Sequence, residues 1–192
     1  MRHKLAAYCA HPAAARAALQ ATERLLSLPL YSAAPFLCAF LSTETEIDTT
    51  PLIRRALADG KTVAVPRVIP ETNRMEWRML SAAYSLHEQC APGSFGIKEP
   101  RASAPVVAPA ALPDCAVVVT PGLLFSTTGE RLGKGKGFYD RAFSELYSVH
   151  PRREFYRVGL CFDIQIAAAV PAAAHDIRMT HVVSERRVIS CV

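Results

Sequence analysis

Residues 115–120 read Cys-Ala-Val-Val-Val-Thr, an uncharged, β-branched run that leads through Pro121-Gly122 into a segment crowded with glycine and cationic side chains. A run of that kind is a buried strand. Further strand candidates stand at 35–41, 61–68, 157–162 and 181–189. Helical patterns lie between them. Residues 13–28 carry alanine and leucine at helical spacing and stop at Pro29, while 49–60 has Pro51 in its first turn and Gly60 as its stop. From Phe138 onward, Tyr139, Phe143 and Leu146 recur at i, i+4 and i+7. Strands alternating with helices predict an α/β layered fold with a mainly parallel sheet. The stretch 69–113, rich in proline and polar residues, reads as loops with one short strand around Arg74–Leu80 and no core of its own.

In such sheets ligands bind at the carboxyl ends of strands, which is where the segment after residue 120 must lie. There Gly133, Gly135 and Gly137 alternate with Lys134 and Lys136, and Arg131 precedes them. Glycine brings backbone N–H groups close to a ligand, so successive amides form an anion-binding concavity, and the helix that follows offers its N-terminus to the same anion. Two nucleotide motifs are excluded. A P-loop needs a hydroxyl residue after its lysine, whereas Lys134 is followed by Gly135; a dinucleotide fingerprint needs its third glycine one residue later. Asp140, in the first turn of the helix, fits either a favourable helix-dipole position or a Mg²⁺ ligand beside phosphates.

A chain of 192 residues, half of them apolar, suits one domain spanning 1–192 with a proper core. No stretch approaches the roughly 18–20 apolar residues of a membrane span, and His11 and Pro12 interrupt what could otherwise pass for a signal peptide. The six cysteines lack paired C-x-x-C spacing and read as free thiols of a cytoplasmic protein. The formal net charge of +5 suits an anionic partner. With no aromatic stacking set and no long basic stripe, nucleic acid is not that partner. No strand edge or helix face looks reserved for another subunit, so a monomer is expected.

The glycine-lysine segment belongs to a longer pattern: Pro121, Gly122, Phe125, Gly129, Arg131, Leu132, Gly133, Gly135, Gly137, Phe138, Tyr139 and Asp140, in one ungapped run. It closely resembles the signature of the 5-formyltetrahydrofolate cyclo-ligase family, whose members are also called 5,10-methenyltetrahydrofolate synthetases. Two further blocks agree in order and spacing, residues 40–53 with Glu46 and Asp48, and residues 158–179 with Gln165, Pro171, His175 and Asp176. The resemblance covers about residues 20–189.

The resemblance implies a three-layer α/β/α fold, Rossmann-like and of the NagB/RpiA/CoA-transferase-like kind. It implies conversion of 5-formyltetrahydrofolate, with or without a polyglutamate tail, to 5,10-methenyltetrahydrofolate using ATP and Mg²⁺. Under it, ATP is held by Arg131, Leu132, Gly133, Lys134, Gly135, Lys136, Gly137, Phe138 and Tyr139. Residues Lys134 to Phe138 also face the folate, and Lys134, Lys136 and Tyr139 act in catalysis. Glu46 and Asp48, on one strand face, bind the folate, and Met75 and Trp77 wall the pterin pocket. Asp140 and Asp176 position Mg²⁺. Family members usually begin with a basic ATP-contacting segment, here reduced to Arg2 and Lys4. An acidic residue common four positions after Asp176 is Thr180 in this chain, and Thr180 is not expected to bind metal.

Overall fold

The structure, a computed structural model, describes residues 1–173 and 176–191; the side chain of Phe95 is left aside. The chain opens with helices α1 (Arg2–Cys9), α2 (Ala13–Leu26) and α3 (Pro29–Ala33). On α2 the residues Ala14, Ala17, Ala18, Ala21 and Leu25 are buried, a stripe of small side chains that lets the helix approach its neighbours closely. Strand β1 (Phe36–Cys38) follows, then α4 (Thr50–Ala58), β2 (Thr62–Ile69) and β3 (Arg74–Leu80).

The segment 69–113 holds more order than its composition suggests. β3 pairs antiparallel with β2 along its whole length, from Val63 opposite Leu80 to Ile69 opposite Arg74. The short helix α5 (Leu86–Gln89) has Ser85 as cap. Strands β4 (Cys90–Pro92) and β5 (Lys98–Pro100) form a two-stranded ribbon, and β6 (Val106–Val107) pairs with β3. The segment contributes Met75, Trp77, Val107 and Leu112 to the common core. Then come β7 (Val117–Thr120), β8 (Leu124–Ser126), β9 (Arg131–Leu132), α6 (Phe138–Val149), β10 (Tyr156–Leu160), β11 (Ile166–Ala167), β12 (His181–Val183) and β13 (Val188–Ser190). Residues 181–189 are thus a hairpin rather than one strand. The Ser184 hydroxyl accepts the Arg186 and Arg187 amides, both at 3.2 Å, and turns the chain where the charge pattern alone looked like an exposed strand face.

The main sheet has the order β13-β12-β10-β7-β1-β2-β3-β6. Its five central strands, β12 to β2, run parallel, and antiparallel strands flank them at both edges. β7 sits in the middle, as its valines require. Val117 and Val119 point to the face covered by α1, α2, α3 and α4, while Val118 points to the face covered by α6. Burying such a side chain contributes roughly 1.5–3 kcal/mol, so each valine favours a strand that is covered on both sides. The result is three layers.

A small three-stranded sheet, β11-β8-β9, lies beyond the end of β7. It carries the glycine-lysine segment from β9 into the start of α6. All six cysteines are free, with Cys38, Cys90 and Cys161 buried. Among the described residues no helix is long and apolar enough to cross a membrane.

Candidate active site

Two short strands and one helix hold the segment from Arg131 to Asp140. Leu132 is fixed by pairing with Leu124 and by accepting the Leu123 amide at 2.7 Å. Gly137 caps α6 with a φ of +64°, which favours glycine, and the Arg141 guanidinium lies over it where a Cβ would come within 2.8 Å. Arg141 clamps the loop. Its guanidinium donates to the carbonyls of Lys136 and Asn73, both at 2.7 Å, and lies 5.4 Å from the centre of the Phe138 ring. The loop is therefore tied to the turn between β2 and β3.

Arg131 folds back over Gly133, where a Cβ would meet its guanidinium at 2.8 Å, and donates to both oxygens of Asp140 at 2.9 Å. Its side chain is 7% exposed and that of Asp140 is 23% exposed. The guanidinium also lies 5.6 Å from the centre of the Tyr139 ring. Tyr139 in turn meets Trp77 edge-on at 6.3 Å between ring centres. Burial, and secondarily the charge of Glu46, pushes the Tyr139 phenol far above its ordinary range. It stays protonated, a donor rather than a base.

Lys134 extends to the Glu46 carboxylate at 2.8 Å, and the other carboxylate oxygen accepts the Thr43 amide at 2.9 Å. The structure thus brings together a residue expected to hold phosphate and one expected to hold folate. It corrects the strand reading of their segment. Residues 44–46 form a turn, so Glu46 and Asp48 do not share a strand face. Asp48 is exposed and accepts the Thr50 amide at 2.9 Å, a contact at the start of α4. Arg2 and Lys4 stand exposed on α1, and neither side chain forms a hydrogen bond or ion pair among the described residues. Lys136 is exposed, and Met75 lies buried in the core beside Trp77.

On the other side of Arg131 a cavity of about 220 Å³ is lined by Glu130, Arg131, Ala172, Ala173, Asp176, Ile177 and Arg178. The Asp176 carboxylate accepts the Ala173 amide at 2.7 Å. Arg131 thus pairs with Asp140 and shares the lining of the cavity with Asp176. Two carboxylates with hard oxygen donors suit Mg²⁺, which keeps phosphate and water in its remaining positions. Among the described residues no three metal-ligating side chains cluster, a pattern unlike a closed zinc site. His175 lies outside the described residues. The Thr180 hydroxyl is engaged on both sides by the Arg157 backbone, accepting at 3.0 Å and donating at 3.1 Å. Gln165 is structural as well: buried, it accepts the Phe162 amide at 2.8 Å and donates to the Gly122 carbonyl at 2.7 Å.

Sequence reasoning passed over Glu130, Arg141 and Arg178. Glu130 sits at a position the signature leaves open and Arg141 lies just past its end, and their partners Arg178 and Asn73 are remote in sequence. Only the charge pattern of "GER" and "YDRAF" pointed to them.

The sequence profile of the 5-formyltetrahydrofolate cyclo-ligase family matches residues 1–185. The 5-formyltetrahydrofolate cyclo-ligase of Escherichia coli is 31% identical over 171 residues, covering 88% of each chain. That of Mus musculus is 26% identical over 180 residues, covering 88% of this chain and 83% of its own. Among solved structures, the Aquifex aeolicus 5,10-methenyltetrahydrofolate synthetase superposes with a TM-score of 0.78 at 26% identity, covering 99% of this chain and 90% of that one. A Mycoplasma pneumoniae synthetase, 14% identical with a TM-score of 0.69, shares the fold.

Proposed function

The chain belongs to the 5-formyltetrahydrofolate cyclo-ligase family, and from that membership we propose that it cyclises 5-formyltetrahydrofolate to 5,10-methenyltetrahydrofolate with ATP as co-substrate and Mg²⁺ as its metal. The family is one of ligases, enzymes that join carbon to nitrogen. In our reading the formyl oxygen takes the terminal phosphoryl group of ATP and ADP leaves. The folate N10 then attacks the activated carbon and loses its proton, the carbon–oxygen bond breaks, and phosphate departs. A formyl amide oxygen is a poor leaving group, and phosphorylation makes it a good one.

One observation carries this reading. Four buried polar side-chain atoms have no partner among the described residues, and one of them, Thr22 Oγ1, lies on α2. The other three, Arg131 Nε, Tyr139 Oη and Trp77 Nε1, belong to side chains stacked in series, Arg131 over the Tyr139 ring and that ring edge-on to Trp77, with the Glu46 charge acting on Tyr139. Buried donors are rarely left unsatisfied in a folded protein, and three at one spot point to a polar ligand that completes them. Phosphoryl transfer asks a protein for positioned cations more than for a nucleophile, and this site offers Arg131, Lys134 and Lys136 around flexible amides.

In this reading Arg131, Lys134, Lys136 and the backbone from Leu132 to Phe138 hold the phosphates. Glu46, Asp48 and Trp77 hold the folate, and protonated Tyr139 donates. Asp140 and Asp176 hold Mg²⁺, which supplies charge neutralisation on the phosphate oxygens. Residues 1–192 act as one domain, a cytoplasmic monomer, with Arg2 and Lys4 as outlying nucleotide contacts. The test is a coupled assay for ADP release with 5-formyltetrahydrofolate as sole co-substrate, followed by appearance of the methenyl chromophore. Release of ADP in step with product supports the proposal. A folded protein that releases none refutes it.

A further inference from the structure

Glu130 occupies the turn between β8 and β9, and its carboxylate is unusually committed. It accepts the hydroxyls of Ser126 and Thr128 and pairs with the Arg178 guanidinium at 3.0 Å. Those hydroxyls, followed by the charge of Arg178, hold its carboxyl down at about 2. The Glu130 side chain is 14% exposed, whereas that of Arg178 is 67% exposed. An exposed arginine ordinarily gains little from an ion pair, since fixing a long side chain costs entropy. A carboxylate already held by two hydroxyls is a rigid anchor, and it lowers that cost.

The backbone is fixed as well. The Met179 amide donates to the Gly129 carbonyl at 2.8 Å, and the Arg178 carbonyl accepts from the Arg157 guanidinium at 2.7 Å. At Gly129, φ is +91° and a Cβ would meet the Met179 carbonyl oxygen at 2.5 Å, so the two segments approach as closely as their backbones permit. Arg178 is thus held at both ends. Arg178 lines the 220 Å³ cavity whose other charged walls are Glu130, Arg131 and Asp176.

The lining presents two guanidiniums and two carboxylates, with Asp140 paired to Arg131 beside them, so both signs of charge meet at this cavity. It suits a ligand that carries both signs, a metal-bound phosphate. The cavity holds the liquid-volume share of roughly seven waters at about 30 Å³ each, enough for a phosphate group and its ion. A guanidinium offers phosphate a planar fork of donors. The ion pair to Glu130 runs through one terminal nitrogen of Arg178, and with the side chain 67% exposed the rest of the fork can reach a ligand.

We propose that Arg178, oriented by Glu130, is a second phosphate-binding guanidinium of this site, gripping the nucleotide phosphates across the cavity from Arg131. Glu130 is a positioning residue, because it acts through Arg178. The inference rests on the reading of ATP as co-substrate and adds to it a contact from the segment that also carries Asp176.

The test compares the full chain with Arg178→Ala, Arg178→Lys and Glu130→Gln, each checked for folding by circular dichroism. Initial rates are measured against ATP and against the folate, and ADP binding is measured by calorimetry with Mg²⁺ present. Arg178→Ala should raise the KM for ATP and the Kd for ADP about tenfold, with the folate KM within twofold of the parent. Arg178→Lys should recover part of that loss. Glu130→Gln should raise the ATP KM severalfold in the same direction. An ADP Kd for Arg178→Ala within twofold of the parent overturns the role of Arg178, whatever the activity. A parent chain that neither turns over ATP nor binds ADP overturns the reading beneath it instead.

Discussion

Arg131 grips both carboxylate oxygens of Asp140 at 2.9 Å, so a cation expected to bind phosphate and an acid expected to bind metal neutralise each other within the folded chain. Any metal-phosphate that enters must reach an acid whose two oxygens are already engaged. Under the proposed function, a phosphate that drew the guanidinium away would free the carboxylate for the metal and so couple the two binding events.

Asp140→Asn should therefore do two things. Breaking a fully buried ion pair costs roughly 3–5 kcal/mol. Asp140 is 23% exposed, so solvent screening brings the expected loss of stability to about 1–2 kcal/mol. Turnover should fall at least tenfold and the Mg²⁺ concentration needed for half-maximal rate should rise. Urea unfolding and a magnesium titration of initial rate check the two parts, and an unchanged titration removes the metal role of Asp140.

The Lys134–Glu46 pair joins the loop to the segment before α4 at 2.8 Å, with Lys134 41% exposed. The Glu46 side chain is 11% exposed, but solvent at Lys134 screens the pair to about 1 kcal/mol, so Lys134→Ala and Glu46→Gln should leave unfolding midpoints close to the parent's. Kinetics should separate them. Lys134→Ala raises the KM for ATP most, and Glu46→Gln raises the KM for the folate most. If the double variant shows simple additivity in kcat/KM, the two side chains do not act on neighbouring groups in the bound state.

Glu130 has its carboxyl at about 2 in the folded protein, against an ordinary value of about 4.3. Because the folded value is the lower one, the unfolded chain binds more protons between those two values. The contribution of Glu130 is fully present above pH 4.3 and is lost as pH falls toward 2. Urea midpoints measured from pH 6 down to 2.5 should decline across that window, and Glu130→Gln should flatten the decline. A slope equal to the parent's shows that other acids govern it.

The central strands and α6 were legible because each rests on a local pattern. Val117 to Val119 carry β-branched chains that favour burial on both faces, and Phe143 and Leu146 recur at the helical period. The glycine-lysine loop was legible as a feature for the same reason, since Gly133 to Gly137 lie in one ungapped run. Contacts that close the site from elsewhere were not. Lys134 meets a glutamate 88 positions earlier, Arg141 reaches Asn73, and Glu130 reaches Arg178, pairings that only the strand order brings about. The hairpin at 181–190 was hidden because a serine turn looks, in one dimension, like the polar face of a strand.

Tyr139 offers the sharpest separation between a structural role and a ligand role. Its hydroxyl is buried without a partner among the described residues. Burying a hydroxyl unpartnered costs about 1–3 kcal/mol in proteins. In the ligand-free chain, Tyr139→Phe removes that penalty while keeping the ring against Trp77 and under Arg131, so the thermal midpoint should hold or rise by a few degrees. Activity should move the opposite way. If the hydroxyl donates to a bound ligand, its loss costs the net value of one hydrogen bond, about 0.5–1.5 kcal/mol, or roughly two- to tenfold in kcat/KM. Because burial holds the phenol protonated, the pH profile of the parent should carry no limb from Tyr139, and the variant should reproduce its shape at a lower rate. A variant that is both less stable and fully active places the hydroxyl in the fold instead of the ligand site.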